Sequence, residues 1–223
     1  MTHLPERHMT DSLSHPSARR RFLAQLSGAA AAFAGFALPD RAGAATGPGP
    51  DHDAWMQRAR GRHRQFFHST GHGDGAAMLM ATNFLDVYGA AYATAPTHVS
   101  AVIGVHGTAL PIGLSNAAWD KYELGKVINV NDPDTKVAAR RNVFAVGGPI
   151  SIDTAMRRGI VLLVCNIALT RLSNSLAGSL SLPQADVYND LRSSVIPGAI
   201  VVPGLVVAIN RAQERGFTYV RAS

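Results

Sequence analysis

The sequence predicts one α/β domain whose mainly parallel sheet lies between helical layers, and three observations predict it. Short apolar runs alternate along the chain with segments of helical period. The run Ile160-Val161-Leu162-Leu163-Val164-Cys165 is continuously apolar, as a strand covered on both faces must be. Arg158-Gly159 and Arg215-Gly216 each stop a helix immediately before a strand, the short connection that a layered sheet requires.

The first segment reads as something other than folded domain. Arg19-Arg20-Arg21-Phe22-Leu23 precedes the weakly hydrophobic, alanine-rich run Ala24 to Leu38, and Ala42-Gly43-Ala44 fits a signal-peptidase site. Paired arginines before this run predict a twin-arginine export signal over residues 1–44, and hence a periplasmic protein handled by the Tat export machinery. The apolar run is too short and too poor in Leu, Ile and Val to read as a membrane span. That segment holds five of the 21 basic and three of the 15 acidic residues, leaving 16 and 12, a net charge of +4.

Residues 45–62 are expected to form a flexible linker: Gly, Pro and Asp dominate its start, and the alternating arginines 58, 60, 62 and 64 read as a solvated basic tail. The domain is then expected over 63–223. A chain with a single cysteine cannot form an internal disulfide, so core burial must stabilise it.

Within the domain, Arg64 to His68 predicts the first strand, followed by the loop Ser69 to Gly75. Met78, Ala81, Leu85, Tyr88 and Tyr92 recur at spacings of three and four, which predicts a helix over 76–92. His98 to His106 predicts the second strand. Ser115 is placed to cap a helix that carries Trp119 and Tyr122 and stops at Gly125. Residues 126–149 have no strong period and read either as a lid or subunit contact or as a surface excursion. Ser151 begins a short helix that ends at Gly159. After the strand ending in Cys165 come helices over 167–177 and 185–194, a strand over 199–202, a helix with Pro203 in its first turn, and a last strand over 217–220.

Several function classes lack their signatures. Gly71-x-Gly73-x-Gly75 has neither dinucleotide-binding nor P-loop spacing, and no G-x-S-x-G elbow is present. No interleaved basic and aromatic patch suggests nucleic acid as a partner.

A parallel sheet sends the carboxyl ends of its strands to one rim. That rim is expected to collect His68, the His72/Asp74 loop, His106, and Cys165 with Asn166. Cys165 is either a buried, inert thiol or a used one. If Asn166 starts a helix, its positive dipole end favours a thiolate at Cys165, and His106 is the residue best placed to assist. The alternative for His106 is a strand-end histidine satisfied by backbone. His68, His72, His106 and Cys165 are also chemically adequate for zinc or copper, but their spacing does not specify a metal site, and no cofactor is expected.

Val164-Cys165-Asn166, Val195 to Gly204, and Ala208-x-x-Arg211-Ala212-Gln213-Glu214-Arg215-Gly216-Phe217-Thr218-Tyr219-Val220 together resemble the DsrE/DsrF-like family. Val105-His106-Gly107 and Asn116 to Tyr122 add to the resemblance, which covers roughly 64–221. It implies a three-layer α/β sandwich with a mainly parallel five-stranded sheet, DsrE/YchN-like, assembled into a homo-oligomer, trimer or hexamer. It also implies sulfur handling through a persulfide on Cys165, with His106, Asn166 and His72 as binding residues and a small sulfur species, or an unknown small ligand, as partner. An export signal and the lack of a second cysteine depart from the cytoplasmic relay members, and put their partners out of reach. A non-catalytic oligomeric binding or scaffold protein, holding a small anion or a metal at the rim, is the alternative.

Overall fold

Phe66 and Phe67 sit next to each other in an extended segment, so they face opposite sides of a sheet and need cover on both. The structure, a computed structural model, supplies that cover; it describes residues 51–145, 147–148 and 150–222, and the expected signal over 1–44 lies outside them. Phe66 packs edge-on against Trp55, centroids 6.2 Å apart, while Phe67 meets Phe84 on the opposite face at 5.8 Å. The five strands are β1 (His63–Ser69), β2 (Val99–Val105), β3 (Val161–Cys165), β4 (Ile200–Val202) and β5 (Thr218–Arg221). They pair in the order β4-β3-β2-β1-β5, and every pair is parallel. The fold is the three-layer α/β sandwich of the expectation, with its sheet wholly rather than mainly parallel.

The helices are α1 (Ala76–Tyr92), α2 (Asn116–Lys121), α3 (Leu124–Val127), α4 (Ile152–Arg157), α5 (Asn166–Leu180), α6 (Gln184–Ser193) and α7 (Leu205–Glu214). α1 carries Phe84 on one face of the sheet. On the other, the first turn of α7 comes down onto β2 at Gly104, where a Cβ would meet Leu205 Cδ1 and Phe66 Cε1, each at 2.7 Å. A side chain at 104 would have to push the helix or the ring away.

Four expectations need correction. The linker expected over 45–62 does not extend through its described part: Ala54–Arg58 form a short 3-10 helix, and Trp55 is only 2% exposed. Trp55 also packs on Phe217 at 5.8 Å, and Arg58 donates to the Gly198 carbonyl at 3.1 Å. The large ring of Trp55, with Met56 and Ala59 buried beside it, removes enough apolar surface from water to fix the segment. Gly125 does not stop a helix either. The break falls at Glu123, in the left-handed region at φ 48°, and Gly125 lies inside α3, where a Cβ would stand 2.2 Å from the Ala139 carbonyl oxygen. Ser115 occupies the N-cap position of α2 without a side-chain capping bond. Pro203 precedes Gly204, the N-cap of α7, rather than entering its first turn.

The aperiodic stretch 126–149 is tied to the body by buried groups. Asn142, 2% exposed, donates through Nδ2 to the carbonyls of Ile112 (2.9 Å) and Leu114 (2.8 Å) and accepts the Phe144 N–H at 3.0 Å. Beside it, Asp132 accepts from Arg141 Nε at 2.6 Å and from the Asp134 N–H at 2.8 Å. These bonds satisfy a stretch of backbone that neither a helix nor the sheet serves. Asn142→Ala strands two buried carbonyls and a buried N–H, and is expected to lower unfolding free energy by about 2–3 kcal/mol in urea titration. A loss below about 0.5 kcal/mol would show that the segment is not anchored there.

Candidate functional site

Because all five strands run the same way, their carboxyl ends share one rim, and the turn after each strand is delivered to it. A cleft of about 410 Å³ opens there, between the first turns of α5 and α7 and the turn that follows β2. Cys165 and His106, placed at the rim by the sequence, both line it.

Cys165 is the last residue of β3 and the N-cap of α5. It is 4% exposed, and its Sγ accepts the Leu205 backbone N–H at 3.4 Å. Leu205 is the first residue of α7, so this N–H is one of the donors that a helix leaves without an internal partner. The positive ends of two helices, of fifteen and ten residues, therefore converge on one sulfur atom.

His106 follows β2 and meets His68 of β1. His68 Nε2 lies 3.0 Å from His106 Nδ1, and the rings stack at 23° with centroids 4.9 Å apart. His68 Nδ1 lies 3.0 Å from the Tyr219 hydroxyl of β5, which places three adjacent strands in one hydrogen-bonded chain. A neutral imidazole has one donor and one acceptor nitrogen, so this chain has two consistent polarities. If Tyr219 donates to His68, then His68 donates to His106 and leaves the His106 proton on Nε2. In the reverse order, His106 Nε2 is an acceptor. His68 is 9% exposed, and burial first, then His106 and Arg221, push its pKa down. For His106 the causes are burial and then Arg171. Arg221 also donates to the Thr70 hydroxyl at 3.3 Å.

Two expected binding residues lie elsewhere. Asn166 opens α5, but its side-chain Oδ1 accepts the Tyr188 hydroxyl at 2.7 Å and so braces α5 against α6. His72 accepts the Asp74 N–H at 3.3 Å and lies against Phe144 at 6.0 Å, outside the cleft lining. Among the described residues no group of three or more His, Cys, Asp and Glu side chains is placed to hold a metal ion. His68 and His106 meet as a pair, without His72.

Three site residues had not been singled out. Arg171 lines the cleft from the second turn of α5, and Tyr219 and Arg221 reach His68 from β5. Arg171 could have been found by helical phase, because it lies four residues after Ile167, which also faces the cleft. Tyr219 and Arg221 gave no such signal: the pairing of β5 with β1 is a choice of topology.

No family model matches this sequence, and no curated protein matches it. A similar solved structure is that of a protein of unknown function, MTH1491, from Methanobacterium thermoautotrophicum. The two share 12% identity with a TM-score of 0.40, over 71% of this chain and 98% of that one.

Both histidines have folded-state pKa values below the ordinary 6.5. The unfolded chain therefore binds their protons more readily, and their neutral burial costs nothing above that value but destabilises the fold as pH falls below it. The urea midpoint is expected to fall between about pH 7.5 and about pH 5, and to fall less in His68→Asn. Equal falls in the two proteins would show that His68 is not buried as a neutral ring.

Proposed function

We propose that this protein is an exported, periplasmic member of the DsrE-like group that handles sulfur through a persulfide on Cys165. The observation that carries the reading is the setting of Sγ: it accepts a helix-terminal N–H and lies where two helix N-termini converge, at the floor of a cleft that also holds His106. Positive ends of helix dipoles stabilise a sulfur anion, whether a thiolate or the terminal sulfur of a persulfide. His106, in the polarity that leaves Nε2 as an acceptor, supplies a base in the same cleft. The Cys165 thiolate attacks a sulfane sulfur of a polysulfide. One S–S bond of the donor breaks, its electron pair leaves with the shortened polysulfide anion, and a new S–S bond forms on Sγ. The sulfur moves without a separate oxidant.

After exposure to polysulfide, intact-mass analysis is expected to show one added sulfur on wild type and none on Cys165→Ser. Equal addition to both proteins, or none to wild type, sinks the reading.

The 4% exposure of Cys165 favours a second reading, a non-catalytic binding protein in which the thiol only packs. Native labelling with a small alkylating reagent separates the two. On the persulfide reading, Cys165 is labelled at a rate that free small ligands of the cleft slow. Labelling only after denaturation supports the packing role.

A further inference from the structure

The walls of the cleft narrow the class of molecule that enters it. Inorganic thiosulfate, a small and doubly charged body, needs polar donors around it. This cleft is walled chiefly by aliphatic side chains: Ile167 and Leu172 from α5, and Leu205, Val206 and Val207 from α7. At its mouth Ile167, Val206 and Val207 stand 51%, 73% and 63% exposed, apolar surface left in water. The volume of about 410 Å³ falls in the range of about 300–1,000 Å³ common for organic ligands, whose sites combine apolar walls with a few polar groups. Among the described residues one cation lines the space, Arg171; it forms none of the ion pairs found among those residues, and its charge is felt at His106, which also lines the cleft.

We infer that the cleft binds a small organic anion, an apolar body lodged between α5 and α7 with its anionic head against Arg171, and that the sulfur donor is of this kind, an organic thiosulfonate. The donor's identity rests on the persulfide reading; the anion site does not. The Cys165 thiolate takes the outer sulfur of the thiosulfonate. The bond between that sulfur and the sulfonyl sulfur breaks, and the sulfinate leaves with the electron pair. Sγ gains one sulfur as a persulfide anion, and charge and electron count are conserved. The sulfinate retains the anionic head that Arg171 holds.

Two measurements on the purified protein test this separately. Calorimetric titration uses benzenesulfonate, which cannot transfer sulfur, against methanesulfonate; mass analysis follows the loading of Cys165 by benzenethiosulfonate against thiosulfate. Benzenesulfonate is expected to bind about tenfold more tightly than methanesulfonate, from the added apolar area. Arg171→Gln, a change at an exposed side chain, is expected to weaken it about tenfold, and Val206→Asp to weaken it as well. Cys165 is expected to load faster from benzenethiosulfonate than from thiosulfate. Absence of benzenesulfonate binding, or binding indifferent to both variants, overturns the inference even if thiosulfate loads Cys165, in which case the persulfide reading survives alone. Binding with the expected dependence but no loading from either donor supports the organic-anion site and removes sulfur transfer from it.

Discussion

The site depends on a missing side chain at Gly104. Because nothing projects from that position, the first turn of α7 rests directly on β2, against Phe66. That approach carries the Leu205 N–H to the sulfur of Cys165 and sets Val206 and Val207 at the mouth of the cleft. A packed interior does not yield gradually, so a helix lifted by one methyl group would move as a unit and take the donor with it. The seating of one helix thus positions the sulfur's hydrogen bond and the cleft wall together.

The second constraint is electrostatic. Three strands deliver Tyr219, His68 and His106 into one hydrogen-bonded chain, and burial keeps both rings neutral near neutral pH. A neutral chain can reverse its polarity without carrying charge, whereas a protonated ring would place a second cation beside Arg171 or Arg221. The cleft therefore has one fixed positive charge on its α5 wall and a polarisable, uncharged group in its lining.

The fold was legible because its signals are local. The continuous apolar run of β3 and the periodicity of α1 are properties of adjacent residues, and the glycines that precede β3 and β5 take φ of +83° and +82° as helix stops do. Trp55 was misread for the opposite reason: composition made residues 45–62 look solvated, and the partner that buries this ring, Phe217, lies far along the chain. Gly125 carried a helix-stop signal but serves the close approach of the Ala139 backbone, a contact that no window of sequence contains. At the site, strand ends predicted Cys165 and His106 because a parallel sheet fixes where ends go. They overreached for His72, since a loop that leaves a rim need not turn back into it, and for Asn166, whose amide is claimed by Tyr188. The pairing of His68 with Tyr219 required the position of β5 beside β1, which strand order alone decides.

The depth of the lone thiol governs what it can be joined to. A disulfide requires the two α-carbons to come within about 7 Å, and Cys165 lies beneath the first turns of two helices, at 4% exposure. A second copy of the chain cannot bring its own Cys165 that close without unseating both pairs of helices. In oxidising solution this chain is therefore expected to resist cross-linking to itself where a surface cysteine would not.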